Sequence, residues 1–173
     1  MGQIFVITAV GRDGPGIIAA LARVIFNLGG NLDDASMTRL HGAFAIMLAA
    51  RVPPDKSKGD VRAALEPLAS EMGLTVTVQG VPDAHSEADP DTLLTVYGAD
   101  KPGIVYAVTA ALANRGVNVT DMDTRVAGTL EAPVYVMLLE AVAGDMDLAG
   151  DLDALRASLG VNITVSALNT EAL

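Results

Sequence analysis

The apolar positions of the chain fall into short uninterrupted runs and into segments with helical spacing. Residues 4–10 form an apolar, β-rich run, and behind it apolar side chains recur every three or four positions over residues 17–28, as on one face of an amphipathic helix. Two strands that meet at residues 41–42 follow, and then a helix over about 61–72 and an alternating strand at 74–78. The pattern predicts the order strand, helix, strand, strand, helix, strand.

This pattern occurs twice along the chain. The segment Gly-Arg-Asp-Gly-Pro-Gly-Ile at residues 11–17 lies 87 positions before Gly-Ala-Asp-Lys-Pro-Gly-Ile at residues 98–104. The same offset aligns Asn31 with Asn118. In the middle of each copy the offset becomes 90, because the predicted hairpin is three residues longer in the second copy. Because insertions between preserved elements are typical of a duplicated domain, the offset indicates an internal duplication.

We therefore predict two domains, residues 1–81 and residues 92–173, joined by a linker at residues 82–91. The linker is polar and acidic and is bracketed by Pro82 and Pro90, which is typical of an exposed connection. A chain of 173 residues suits one medium domain or two small ones, and the repeat selects the second option.

The element order is that of the ferredoxin-like βαββαβ motif, so we expect the α+β class. Each domain should contain a four-stranded antiparallel sheet of strand order 4-1-3-2 with two helices on one face. The central strands at 4–10, 43–50 and 134–139 are apolar on both faces, so the second sheet face needs cover from the other copy or from a second chain, and we expect a homodimer. Pro67 is expected to kink or shorten the second helix.

Composition narrows the function classes. Hydrophobic residues make up 51% of the chain and aromatic residues only 3%, so the core must be aliphatic. The chain has 11 basic and 21 acidic residues, a net charge of -10, and direct nucleic-acid binding is therefore not expected. No apolar run approaches the ~18–20 residues of a membrane span. We also find no signal-peptide pattern, so we expect a cytoplasmic protein without membrane contact.

The chain offers little catalytic chemistry. It has no cysteine, and its two histidines, His41 in the predicted hairpin turn and His85 in the linker, are too few for a metal cluster or a catalytic triad. The aspartates within residues 145–153 form an acidic helix start that the helix dipole explains without a metal. We predict no catalytic residue, no metal site and no cofactor, and hence a protein that is not an enzyme.

The two repeated loops are the strongest candidates for a binding site. Pro15 and Pro102 fix φ at the predicted first helical turn, and the loop glycines permit a sharp turn that leaves backbone N–H groups exposed. Such groups at the positive end of a helix dipole suit a carboxylate. Asp13 and Asp100 would either cap these amides or hold an ammonium group. The simpler alternative is that each loop is only a capped strand-to-helix turn.

Taken together, Gly-x-Asp-x-Pro-Gly-Ile after a first strand, an amphipathic helix and then Gly-x-Asn resemble the ACT domain, twice, over nearly the whole chain except the linker. ACT domains are regulatory modules that bind amino acids or similar small effectors. A chain of two ACT copies resembles the glycine cleavage system transcriptional repressor family, whose members act through a partner protein. The resemblance implies a small amino acid as effector, glycine by analogy, and a transcription factor or an enzyme as protein partner. The alternative is a ligand-free assembly module. The implied ligand-binding residues are Gly11, Asp13, Gly14, Pro15, Gly16, Ile17, Asn31, Gly98, Asp100, Lys101, Pro102, Gly103, Ile104 and Asn118.

The two asparagines that open the second strands raise a question of distance. Asn31 and Asn118 either adopt a left-handed or capping conformation after glycine or, as the resemblance implies, contact the ligand. A helix of about 14 residues spans about 21 Å, so Asp13 and Asn31 cannot share one small ligand. We therefore expect sites between antiparallel domains, which pair the 11–16 loop with Asn118 and the 98–103 loop with Asn31.

The two loops differ at positions that matter for binding. Gly14 in the first copy corresponds to Lys101 in the second, and Gly30 corresponds to Val117. The second loop, Asp-Lys-Pro-Gly, is closer to the basic residue usual in the family. The sequence leaves open whether one copy binds or the two bind different effectors.

Overall fold

The computed structural model describes residues 2–81, 88–129, 131 and 133–168. The chain separates into two compact units, Met1–His85 and Ser86–Leu173. The boundary falls inside the predicted linker. Residues 82–87 of that linker, His85 among them, lie outside the described residues. The precise domain limits of the sequence analysis stay predictions.

Each unit has the predicted βαββαβ order. The first contains β1 (Gln3–Arg12), α1 (Ile17–Asn27), β2 (Asn31–Leu40), β3 (Ala43–Val52), α2 (Lys58–Met72) and β4 (Leu74–Gly80). The second contains β5 (Thr92–Gly98), α3 (Ile104–Asn114), β6 (Asn118–Gly128), β7 (Pro133–Val142), α4 (Ala149–Leu159) and β8 (Val161–Ala167). The sheets are antiparallel with the orders β2-β3-β1-β4 and β6-β7-β5-β8, which is the order 4-1-3-2 read from its other end. The ferredoxin-like α+β fold is confirmed.

Alternating side chains of the central strands form the core of each unit. In β1 and β3 every second residue is buried, so one sheet face packs against the two helices. The first core is aliphatic apart from Phe5 and Phe44, as the composition predicts. On the other face the apolar side chains of Val10 and Met47 are 43% and 55% exposed. This second face is apolar but open to solvent.

α1 begins later than predicted, and α2 tolerates its internal proline. Gly16 precedes α1 with a φ of 88°, which a right-handed helix cannot contain, so α1 begins at Ile17 and not at Pro15. Of the two expected effects of Pro67, shortening of the helix is wrong, because α2 runs for 15 residues through it, and the kink stays a prediction. Ser57 and Asp60 form a capping box at the start of α2, and Gly73 ends the helix, so both termini are stabilised.

The last residue of the predicted linker is tied to the second unit. The Asp91 carboxylate accepts hydrogen bonds from Thr92 Oγ1 at 2.7 Å and from the backbone N–H groups of Ala143 at 2.9 Å and Gly144 at 2.8 Å. These three bonds, that of Thr92 first, lower the pKa of Asp91. The backbone carbonyl of Asp91 also accepts a hydrogen bond from the Leu168 N–H at 2.8 Å. Asp91 therefore fastens the chain where it enters β5.

The remaining local expectations concern turns and membranes. His41 and Gly42 both have positive φ, 49° and 81°, and form the two-residue turn between β2 and β3, as predicted. In the described part of the chain, no helix combines the length and the apolar character that crossing a membrane requires.

Candidate functional site

The first repeated loop is held by the β2–β3 hairpin. The Asp13 N–H donates to the Gly42 carbonyl at 3.1 Å, and Arg39 Nη1 donates to the Asp13 carboxylate at 3.2 Å. Of the two alternatives for Asp13, the capping of α1 is wrong, because its carboxylate turns to the guanidinium and α1 has no side-chain cap. Sequence reasoning missed Arg39, and the signal available was its position beside the hairpin turn.

The helices behind both loops begin without side-chain caps. Neither α1 nor α3 has a capping hydrogen bond, and neither has an acidic residue in its first turn. The first helical bonds run from Ala20 to the Gly16 carbonyl and from Ala107 to the Gly103 carbonyl, each at 2.9 Å. The backbone N–H groups of the first helical turn, which precede Ala20 and Ala107 in the chain, donate to no side chain among the described residues. They are therefore available to a carboxylate at the positive end of each helix dipole.

The second loop uses its charged residues differently. Lys101 Nζ donates to the Leu159 carbonyl at 2.9 Å, and so stabilises the end of α4, where the helix dipole favours a cation. Within the described side chains, Asp100 forms neither a hydrogen bond nor an ion pair. Burial raises the pKa of the Tyr135 hydroxyl, and the nearby Asp100 carboxylate adds to the increase. Sequence reasoning missed Tyr135 as a neighbour of this loop. The signal available was the strand register, since Tyr135 in β7 pairs with Gly98 in β5.

The loop glycines have separate reasons for lacking a side chain. Gly11 lies near the end of β1 and pairs with Leu74, and a Cβ on it would lie 2.7 Å from Leu74 Cδ2 and 2.9 Å from the Gly73 carbonyl oxygen, so β1 approaches the start of β4 closely here. Gly16 and Gly103 have open space but positive φ values of 88° and 91°. These two residues let the chain turn from the loop directly into the helix.

The two asparagines lie where predicted. Asn31 opens β2 and Asn118 opens β6, and both are exposed. Neither has positive φ, so the left-handed alternative is wrong; Gly29 takes that conformation with a φ of 75°. α1 has 11 residues and spans about 16 Å, so Asp13 and Asn31 lie at opposite ends of it.

A cavity lies beside the second asparagine. It has a volume of about 420 Å³ and is lined by Asn118, Ala88, Val119, Thr120 and Val142. Of the predicted site residues, Asn118 therefore faces a space that a small molecule can enter.

The described residues contain no group of three or more His, Cys, Asp or Glu side chains that could hold a metal. Asp145 and Asp147 precede α4, whose N-cap residue Leu148 makes no side-chain cap. The expectation that the protein is not an enzyme stays a prediction.

These features define a class of protein: a tandem of ferredoxin-like domains in which each Gly-Pro loop leads into an uncapped helix. Sequence models of the ACT domain match residues 3–79 and residues 92–164. The chain belongs to the ACT-domain family.

Two relatives each match about one domain of this chain. It is 37% identical over 75 residues to a UPF0237 protein of Methanopyrus kandleri, covering 43% of this chain and 83% of that protein. It is 33% identical over 80 residues to a UPF0237 protein of Methanococcus maripaludis, covering 46% and 89%. Both matches span about one domain.

Two crystal structures share the whole tandem fold. An unknown protein from Galdieria sulphuraria has a TM-score of 0.83 and 24% identity, with coverage of 97% of this chain and 99% of that chain. A candidate glycine cleavage system transcriptional repressor has a TM-score of 0.68 and 20% identity, with coverage of 97% and 98%. At these identities the likeness shows a common fold.

Proposed function

We propose that this protein is a regulatory sensor that binds a small amino acid and passes the binding event to a protein partner. The observation that carries the proposal is the pair of uncapped helices behind the repeated loops. The carboxylate of an amino acid would accept hydrogen bonds from the first-turn amides. Its ammonium group would pair with the loop aspartate, Asp13 or Asp100. Membership of the ACT-domain family supports the same class of effector.

The second loop is the stronger of the two proposed sites. In the first loop an incoming ammonium group would have to displace Arg39 from the Asp13 carboxylate. Asp100 has no competing cation among the described residues, and Lys101 is held away at the end of α4. We therefore assign the main site to the loop Asp100–Gly103 and expect the first loop to bind more weakly.

We keep the pairing of each loop with an asparagine of a neighbouring domain. The 98–103 loop would share its ligand with Asn31, and the 11–16 loop would share its ligand with Asn118. A ligand that bridges two domains stabilises one arrangement of them, and this changes the surface that a partner contacts. We propose a homodimer as the working unit, glycine as the first effector to test, and a transcription factor or enzyme as partner. The net charge of -10 disfavours direct contact with nucleic acid. The cytoplasmic location stays a prediction.

Isothermal titration calorimetry with a panel of amino acids, glycine first, tests the proposal. We expect binding by the natural protein, a loss of at least tenfold in affinity for Asp100→Asn, and a clearly smaller loss for Asp13→Asn. Asn31→Ala should weaken the same site. Gln79→Ala, an exposed amide in β4 that pairs with Val6 in the middle of β1, is the matched control and should bind normally. No heat with any amino acid would refute the sensing function.

A ligand-free assembly module is the second candidate, and the open apolar sheet faces favour it. Val10 and Met47 in the first unit, and Val134 and Leu138 in the second, are 37–55% exposed. Thermal melting separates the two candidates, since a saturating amino acid stabilises a sensor by several degrees. An unchanged Tm, together with a partner captured equally with and without the amino acid, would favour the assembly module.

A further inference from the structure

The arginine beside the first loop has no counterpart in the second unit. Arg39 in β2 pairs with Phe44 in β3, and Phe44 pairs in turn with Gly11, where the first loop leaves β1. Counted across the strands in the same way from Gly98, the equivalent position in the second unit holds Val126 of β6. The two copies therefore differ by a guanidinium group at one defined position beside the loop.

Arg39 uses only part of its hydrogen-bonding capacity on the loop. Its Nη1 donates to Asp13 Oδ2 at 3.2 Å, and the arginine side chain is 68% exposed. Among the residues that the structure describes, this is the one polar contact of the guanidinium, although the group has five N–H donors. The remaining donors have the planar arrangement that binds a carboxylate through two parallel hydrogen bonds. Arg39 can therefore receive a carboxylate from solution while it stays beside the loop.

The ion pair between Asp13 and Arg39 is easy to exchange. Both side chains reach solvent, and an ion pair at such a position contributes little to stability, because water solvates both charges when they separate. An ammonium group that takes the Asp13 carboxylate would release the guanidinium, and a side-chain carboxylate on the same ligand would then pair with Arg39. This exchange keeps both protein charges paired, whereas a ligand without that second carboxylate would leave Arg39 without its ion pair.

We propose that the first loop selects amino acids with an acidic side chain, aspartate or glutamate, and that Arg39 recognises the side-chain carboxylate. The assignment rests on the proposed function, which places the ammonium group of the ligand at the loop aspartate and its α-carboxylate at the start of the helix. Arg39 adds a third contact that the second unit, with Val126 at the equivalent position, cannot make. The second loop is then the site for neutral amino acids.

The overall charge of the chain makes a local cation necessary for such a ligand. The chain has a net charge of -10, and an acidic amino acid carries a net negative charge, so the field of the whole protein repels it. Close pairing with the Arg39 guanidinium offsets this repulsion at the first loop. The cation of the second loop does not serve the same purpose, because Lys101 Nζ donates to the Leu159 carbonyl at the end of α4. The two loops should therefore differ in the ligand charge that they accept.

Isothermal titration calorimetry of the full chain with matched acids and amides tests the assignment. Aspartate is compared with asparagine and glutamate with glutamine, because the members of each pair differ in one charge at nearly constant shape. We expect at least one acid to bind the natural protein about tenfold or more tightly than its amide, as a charge-assisted contact implies. Because this preference belongs to the first loop, it should persist in Asp100→Asn, in which the second loop is impaired.

Three variants locate the preference on one side chain. Arg39→Leu removes the guanidinium and should weaken binding of the acid about tenfold or more, so that the acid and its amide bind alike. Arg12→Leu is the matched control, since it removes the same charge from the exposed last residue of β1, which by strand alternation lies on the opposite face of the sheet from Gly11. This control should keep the preference for the acid. Val126→Arg supplies the missing guanidinium to the second unit and should raise the affinity of the second loop for the acid.

The possible outcomes separate this assignment from the sensing function. Arg12, Arg39 and Val126 are exposed, so all three variants should fold, and circular dichroism checks this. If neutral amino acids bind but neither acid binds more tightly than its amide, the assignment is wrong and the sensing function remains. Equal weakening of acid and amide by Arg39→Leu would show that Arg39 serves the α-carboxylate, and equal losses in Arg12→Leu and Arg39→Leu would show a general effect of charge; either result overturns the assignment. No heat with any amino acid would refute both the assignment and the sensing function.

Discussion

Three glycines in the first loop should respond to the same substitution in three different ways. Gly11→Ala, Gly14→Ala and Gly16→Ala each add one methyl group within six residues of chain. The positions differ in the space around the new Cβ and in the backbone conformation. The series therefore separates close packing from the need for positive φ in one loop.

The structure sets the sign and size of each effect. At Gly11 the methyl group would lie 2.9 Å from the Gly73 carbonyl oxygen. Because a backbone atom cannot move away as a flexible side chain can, we expect the free energy of unfolding to fall by about 1–3 kcal/mol. At Gly16 there is space, but φ is 88°, and a left-handed alanine costs about 1–2 kcal/mol. At Gly14 nothing lies within 4 Å and φ is not positive, so alanine should stabilise by about 0.4–1 kcal/mol through the unfolded state.

Urea unfolding followed by far-UV circular dichroism measures these changes. All three tyrosines, Tyr97, Tyr106 and Tyr135, lie in the second unit, so tyrosine fluorescence reports that unit and serves as the internal control. We expect its transition to stay in place while the first-unit transition moves. Equal destabilisation by all three substitutions would show that the loop is uniformly strained and would refute the argument.

Other substitutions test single contacts. Ser57→Ala removes the capping box of α2 and should destabilise the first unit by about 1 kcal/mol in the same urea assay. Lys101→Met removes the contact with the Leu159 carbonyl and should lower the stability of the second unit, followed by tyrosine fluorescence, by about 0.3–1 kcal/mol. Because hydrogen bonds lower the pKa of Asp91 in the folded state, its carboxylate stabilises the protein above its unfolded pKa, near 4, and this contribution is lost as the pH falls further. Asp91→Asn should therefore weaken the second unit at pH 7 and flatten its acid dependence, and an unchanged acid profile would contradict this assignment.

The fold was predictable because its signals are local and occur twice. The β1 and β3 patterns and the spacing of Ile17, Leu21 and Ile25 each bury one face, and right-handed connections leave few ways to order four strands. The start of α1 was not predictable to the residue, since Pro15 is compatible with a first turn and only the positive φ of Gly16 excludes it. Helix termini depend on one dihedral angle, whereas strand order depends on the whole pattern.

The positions of the candidate site residues along the helices and strands were predictable, but their contacts were not. The motif placed the two loops and the two asparagines correctly at the ends of α1 and α3. It did not reveal that Arg39 holds the Asp13 carboxylate or that Lys101 reaches α4, because these partners are 26 and 58 positions away along the chain. Long side chains find such partners through tertiary structure, which composition and spacing do not contain.

The differences between the copies carry more functional information than their likeness. Where the copies agree, at the glycines and prolines of the loops, the residues maintain the same turn into an uncapped helix in both units. Where they differ, a charge changes what a neighbouring group can bind: Arg39 occupies the Asp13 carboxylate in the first unit, and Arg156 occupies the Ile163 carbonyl in the second. Each arginine closes one surface in its own unit and leaves the equivalent surface of the other unit open. Under the proposed function the two copies are therefore not equivalent, and the Asp100 loop of the second unit is the stronger candidate site, because Arg39 occupies the Asp13 carboxylate in the first.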